Sequence, residues 1–328
     1  MRLGFLTHLH VGDDAADSYR IALDLFAAAE QLGFDTGWVA QHHFLNGSGR
    51  LPSTLTFLAA AAERTRRIQL GTAIVILPLE DPLRVAEDAA VVDTISGGRL
   101  QLGLGTGGDP LTFAAFGQDL ESRRERYAQA LDVLRETLVG GRINGTDARL
   151  YPPAPTLPER MWESTLSVAG ATRVGQHGNG LLLARTAFLS SEPTDVAQVP
   201  VAQAFLREHF PRSGCARLGL SRTVYPAADR PTAMAHLASG VAAYVDDMVR
   251  RGYFPAGLSQ TEYFTRSHIH YGHPEEIVAS LQSDRILPMT TELICQVQPG
   301  HPTPDQITRA LECIATEVAP ALGWQRQP

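Results

Sequence analysis

The chain has 328 residues, with 28 basic against 35 acidic for a formal net charge of −7, and every basic residue is arginine. Without lysine there is no Schiff-base nucleophile, no phosphate-loop lysine and no lysine-bridged pair of metals. The acidic balance argues against a nucleic-acid surface, and no apolar run approaches the ~18 residues of a membrane span.

Leu3–Thr7 opens the chain as a short apolar strand, too brief to act as a signal peptide. Asp17–Leu32 follows with helical spacing at Ile21, Leu25, Ala28 and Leu32, stopped by Gly33. Thr36–Ala40 is a second strand, and Ser53 caps a helix running to Arg64. Gln69–Leu77 is a β-branched third strand, Pro82 opens a helix to Thr94, and Leu100–Gly105 is the fourth strand. The helix Ser122–Val139 completes the first half. Thr165–Ala169 and Leu181–Ala184 read as strands five and six, with a short helix Thr172–His177 between them. Val199–Phe210 is helical, Arg217–Tyr225 is strand seven, and helices Thr232–Arg251 and Pro274–Gln282 follow. Glu292–Gln296 is the eighth strand and Thr303–Leu322 the closing helix.

Alternation of this kind implies parallel strands with crossover helices. The fold class is α/β: a (β/α)8 TIM barrel forming a single domain over 1–328, with insertions after strands four and seven. Gly140–Arg160 and Gly252–His273 exceed normal connections and read as functional loops or insertions. Cys215, Cys295 and Cys313 are odd in number and widely spaced, so no disulfide framework is expected and a cytoplasmic, reducing location is.

In such a barrel the active site lies at the C-terminal strand ends. Strand one ends in His8-Leu9-His10 and strand two in Gln41-His42-His43-Phe44. A metallohydrolase would also need histidines after strands five and six and an aspartate after strand eight. Those ends read Val168-Ala169-Gly170, Leu183-Ala184-Arg185 and Ile294-Cys295-Gln296, so no metal site is expected. His268, His270 and His273 read as solvated loop residues. Gly103-Leu104-Gly105-Thr106-Gly107-Gly108 fits GxGxxG, but no acidic residue ends a further strand about 20 residues on. These glycines suit close approach to a flat ligand, or simply a tight barrel rim.

In order along the chain, Ala29-Glu30, Leu32-Gly33-Phe34-Asp35, Gln41-His42-His43-Phe44, Gly71-Thr72-Ala73, Leu77-Pro78, Asp81-Pro82, Ala86-Glu87-Asp88 and Ser96-Gly97-Gly98-Arg99 form a specific series. With Phe116-Gly117 and Gly272-His273-Pro274-Glu275-Glu276, it resembles the bacterial luciferase-like flavin monooxygenase family, in the branch described as FMN-dependent. The resemblance covers nearly the whole chain, most strongly 1–140 and thinly 186–265.

The resemblance implies FMN at the barrel mouth. His42 matches the family's active-site histidine, and Ala73-Ile74 the step where the family often has a non-prolyl cis peptide under the flavin ring. Gly105 and Thr106 match positions near ring and phosphate, and Gly170, Ala171 and Thr172 the phosphate loop after strand five. Two departures stand out. Gln41 replaces a glutamate, removing an ionisable group beside His42. The family's phosphate ligands are unmatched at Thr106 and Ala171, so Arg173 or Arg185 would substitute; any side-chain cation there must be arginine or protonated histidine.

By the same resemblance, reduced FMN arrives from a separate flavin reductase and reacts with O2 to oxidise a small organic substrate of unread identity. His42 acts as a general acid/base with a pKa near neutrality, and Gly252–His273 is the lid. A homodimer forms through the helices Ser53–Arg64 and Pro82–Thr94, unless those faces simply pack within their own barrel. Two rivals stay open: deazaflavin-dependent hydride transfer on the same fold, and a non-catalytic flavin-binding partner subunit.

Overall fold

The structure is a computed structural model that describes residues 1–12, 14–44, 49–209 and 216–326. Strand β1 (Arg2–Thr7) is buried at every position after the first, as a stave between barrel interior and helix layer must be. Helix α1 (Ala15–Leu32) starts where the Asp14 side chain accepts from the Asp17 N–H and stops at Gly33, whose φ of 92° closes it with a left-handed cap. β2 (Thr36–Val39), α2 (Thr54–Arg64), β3 (Gln69–Thr72), β4 (Val75–Ile76) and α3 (Pro82–Ser96) follow. Next come β5 (Leu100–Gly105), α4 (Pro110–Ala115), α5 (Arg123–Leu138), β6 (Met161–Ser164), α6 (Val168–His177) and β7 (Gly180–Leu183). The last third holds α7 (Thr194–Glu208), β8 (Leu218–Pro226), α8 (Arg230–Arg250), α9 (Gln260–Arg266), β9 (Ile269–Gly272), α10 (Pro274–Gln282), β10 (Glu292–Gln296) and α11 (Pro304–Cys313). A π turn at Ile314–Val318 and the short α12 (Ala319–Ala321) end it.

All pairings are parallel, and β10 pairs with both β8 and β1, which closes the barrel. β3 and β4 are two halves of one stave, each pairing with β5. The result is the expected eight-staved (β/α)8 barrel. Its interior is filled. Trp38 and Trp162 meet edge to face at 5.6 Å between ring centroids, both fully buried among Leu6, Ala40, Leu182 and Ile294. Glycine on the neighbouring stave makes room for each: a Cβ at Gly71, opposite Trp38 in register, would come within 2.1 Å of its ring, and one at Gly180, opposite Trp162, within 2.3 Å. The indole N–H groups donate to Glu292 at 2.7 Å and to Gln101 at 2.7 Å, so neither is stranded.

Several expected elements moved. Strand five is Met161–Ser164 rather than Thr165–Ala169, because Ser167 caps a helix that already begins at Val168. The stretch Gln69–Leu77 breaks into β3 and β4, then tightens into a 3-10 turn at Leu77–Leu79. Gly140–Arg160 lies between the end of α5 and the start of β6, so it belongs to the barrel face opposite the strand ends and cannot serve the mouth. Gly252–His273 is not one loop: it contains α9 and β9, and β9 pairs with the far end of β8. α7 begins at Thr194 rather than Val199; Phe210, the last residue expected in it, lies outside the described residues, as does Cys215. Among the described residues no helix is long and apolar enough to cross a membrane.

Candidate active site

The filled interior leaves the strand ends as the place for a ligand. Ala73 and Ile74, both half-buried, pack on top of the tryptophan cluster, and the peptide between them is cis. Ile74 leans on the end of β5, where a Cβ at Gly105 would fall 2.8 Å from its Cγ1. Thr106, half-buried, follows directly. The fold therefore brings Ala73, Ile74, Gly105 and Thr106 into one shelf over an apolar floor.

Beside the shelf, loops after β1 and β2 bring two imidazoles into contact: His8 Nδ1 lies 2.8 Å from His42 Nε2. His42 is fixed by its backbone N–H donating to the Leu51 carbonyl at 2.9 Å, and by packing so close to Gly49 that a Cβ there would come within 2.3 Å of its ring. Burial first, then neighbouring His43, pushes the His42 imidazolium down to about 4, against an opposing pull from Asp109. His8 is driven lower than usual by burial, His42 and Arg185. His42 is thus neutral at pH 7, which corrects the expectation of a near-neutral pKa: the pull of Asp109 does not offset its desolvation. His10 and His301 stack at 4.0 Å further along the rim. His43 turns away, edge-on to Phe116 at 4.9 Å.

Gln41 also differs from expectation. Its Nε2 donates to Glu80 at 2.8 Å and to the Pro52 carbonyl at 2.9 Å, while its Oε1 accepts from the Ile76 N–H at 2.6 Å. It anchors β4 rather than tuning His42, and a carboxylate stands next to it after all, that of Glu80.

On the far side of the mouth, the register shift of strand five matters. Gly170, Ala171 and Thr172 sit inside α6: the Gly170 N–H is capped by Ser167 Oγ at 3.1 Å, and the Ala171 N–H bonds the Ser167 carbonyl at 3.0 Å. The amides that a helix start leaves without intrahelical acceptors are those of Val168 and Ala169. Thr165 and Ser167 bring hydroxyls to the same place, and sequence reasoning missed both. The available signal was the serine three residues ahead of Gly170, an N-cap pattern. A cavity of about 320 Å3 opens there, lined by Thr165, Leu166, Leu183, Leu189, Gln198 and Val201. Arg185, at the end of β7, lies over the Tyr244 ring at 4.3 Å and has no carboxylate partner among the described residues.

Of the second histidine cluster only His273 is exposed as expected of a solvated loop; His268 is half-buried and His270 is buried. His270 is buried on β9, and one nitrogen each of His268 and His270 lies within 4.8 Å of an Asp284 oxygen. That geometry resembles a cation site, but the cation is already present: the fully buried Arg222 guanidinium donates to Asp284 at 2.7 Å, and His268 approaches the same oxygen at 3.0 Å.

A parallel barrel with a closed floor and imidazoles at its mouth is the frame of a mouth-binding α/β enzyme. Residues 1–286 match the family described as luciferase-like monooxygenase, and the chain belongs to it. A 4-hydroxyprotoasukamycin monooxygenase of Streptomyces nodosus subsp. asukaensis is 42% identical over 137 residues, 42% of this chain and 37% of that protein. The first such relatives are thus matched over about two fifths of their length. Among solved structures, the oxygenating constituent of 3,6-diketocamphane monooxygenase from Pseudomonas putida, in complex with FMN, superposes with a TM-score of 0.77 at 17% identity, over 98% of each chain. The coenzyme F420-dependent tetrahydromethanopterin reductase of Methanopyrus kandleri does so with a TM-score of 0.67 at 18% identity, over 97% of this chain and 98% of that one. The fold is thus shared with a protein in complex with FMN and with a coenzyme F420-dependent one.

Proposed function

We propose that the chain is the oxygenating component of a two-component FMN-dependent monooxygenase, taking reduced FMN from a separate flavin reductase and acting on a small organic substrate. The observation that carries this reading is a half-buried imidazole pair in contact beside a flat shelf above a sealed floor. The residues fit a flavin. Ala73 and Ile74 would lie under the ring, and the absence of a Cβ at Gly105 keeps the shelf level with the strand end. The start of α6 (the Val168 and Ala169 amides with the Thr165 and Ser167 hydroxyls, Gly170, Ala171 and Thr172 forming the turn behind them) and Arg185 would hold the phosphate, through helix-end amides and the one kind of permanent side-chain cation this chain has.

Bound reduced FMN supplies the two electrons with which O2 is split between an oxidised substrate and water. The protein's part is positioning and proton handling. His42, uncharged at neutral pH, is ready to accept a proton at the barrel mouth and return it. α9 and β9 would cover the mouth and exclude water. α2 and α3 pack against each other, and the exposed Val91 and Ile95 on α3 offer an apolar face for a second copy of the chain.

Anaerobic titration with reduced FMN and with reduced deazaflavin, followed by mixing with O2, tests the reading. Reduced FMN should bind, and its O2 consumption should release H2O2 more slowly than free FMN does. Tight binding of the deazaflavin alone would transfer the protein to hydride-transfer chemistry. His42→Ala should keep FMN binding and lower turnover by about 10²–10⁴-fold; unchanged turnover would favour a non-catalytic partner subunit.

A further inference from the structure

Both ring nitrogens of His8 are engaged. Its Nδ1 meets His42 Nε2 at 2.8 Å, and its Nε2 meets Oε1 of Gln296 at 3.1 Å. Gln296 is itself held, its Nε2 donating to Ser221 Oγ at 2.6 Å. Ser221 is on β8, Gln296 on β10, His8 follows β1 and His42 follows β2. Those are four consecutive staves, so the chain of contacts follows the rim of the mouth along one side of the barrel. Gln296 and Ser221 are buried.

The donors and acceptors in this chain order themselves. An amide oxygen only accepts, so the proton of neutral His8 sits on Nε2. Its Nδ1 then carries a lone pair, and His42 Nε2 must be the donor. The lone pair of neutral His42 is therefore on Nδ1. We propose that His8 and Gln296 are positioning residues that make Nδ1 of His42 the atom that takes up and releases a proton, with Gln296 presenting its amide oxygen to His8. This rests on the reading of His42 as the acid/base group.

The opposite direction does not serve. With the Gln296 amide reversed, its NH2 would donate to His8 Nε2, and the His8 proton would move to Nδ1. A second proton on His42 would then aim Nε2–H at that Nδ1–H. Only the observed direction lets His42 pass between neutral and cationic without either ring turning. The chain ends in an amide rather than a carboxylate, so it orients the imidazole and supplies no counter-charge. Among the described residues, the charged and titratable groups facing the pair are His43, His10 and Asp109 around His42, and Arg185 and His10 around His8.

Nitrogen-15 NMR of histidine-labelled protein without flavin reads the tautomer directly. At neutral pH His42 should carry its proton on Nε2. Gln296→Leu should turn this into a mixture of tautomers. Gln296→Glu, which still accepts from His8, should keep the Nε2–H form and raise the His42 titration midpoint by about one unit, since a carboxylate now faces the chain. The same upward shift should appear in the acid limb of the turnover pH profile. A wild-type His42 protonated on Nδ1, or a tautomer and midpoint unmoved in both variants, overturns the proposal. The NMR pattern does not depend on which flavin is used. If it appears while the Gln296→Glu pH profile stays put, His42 is not the acid/base group, and the role assigned to His8 and Gln296 falls with it.

Discussion

At the scale of single residues, environment overrules residue type. His268 and His270 look alike in sequence, yet one pairs with Asp284 at the edge of a polar network and the other is buried beside it, bonded to Ser280. The centre of that network is Asp284, which satisfies Arg222 and His268 on one oxygen and the Ile286 N–H at 2.8 Å on the other. Arg222 also bonds Gln198 at 2.8 Å, so an entirely buried guanidinium is matched only while the carboxylate is there. Asp284→Asn should therefore cost about 3–5 kcal/mol, because it strands a buried charge rather than merely removing one bond. Urea unfolding of the two proteins measures this; a loss under about 1 kcal/mol would mean that the guanidinium finds another partner. Polar residues of this kind were invisible to pattern reading, since a lone charge in a chain carries no sign of the partner that neutralises it.

At the scale of elements, the informative error is strand five. Met161-Trp162-Glu163-Ser164 forms the strand that the sequence reading places at Thr165–Ala169, and it carries a glutamate in its middle. In the structure Glu163 is buried and accepts from Tyr127, His177 and Asn179, each at 2.8 Å. A carboxylate with three partners is tolerable inside a stave, and the strand can form around it. Moving the strand moves the start of α6 to Val168, with Ser167 as its cap. Ser167→Ala should lower stability by about 1 kcal/mol, the ordinary worth of an N-cap. If the α6 start holds the flavin phosphate, FMN affinity should also fall, while a variant weakened in stability alone would bind FMN as before. Comparing thermal melts with FMN titrations separates the two effects.

For the whole molecule, buried neutral histidines link stability to pH. An imidazole in the unfolded chain titrates near 6.5, whereas folded His42 titrates at about 4, and His8 and His270 are also held below the usual range by burial. Between those values the unfolded state binds more protons, so stability falls as pH drops. Tm should decline from about pH 6.5 to about pH 4, and more steeply than exposed histidines allow. A Tm level across that window would contradict neutral burial of these rings. Alternating strand and helix patterns were enough to read the barrel, since short parallel connections admit few other architectures. Its mouth was only half legible: the strand ends brought forward His8 and His42, and the family resemblance pointed to Ala73, Ile74, Gly105 and Thr106, but residues past a strand end have no periodicity to give their direction.

The sequence by itself determined the barrel, the strand ends that face its mouth, and the chemistry closed to a chain without lysine. It could not determine which of those ends meet. His8 and His42 are 34 positions apart, and His8 and Gln296 are 288 apart. Only closure of the sheet, which sets β10 beside β1, makes them neighbours. Hydrophobic pattern is local and records which face of an element is buried. The partner, protonation state and direction of a polar side chain depend on what the finished fold places against it.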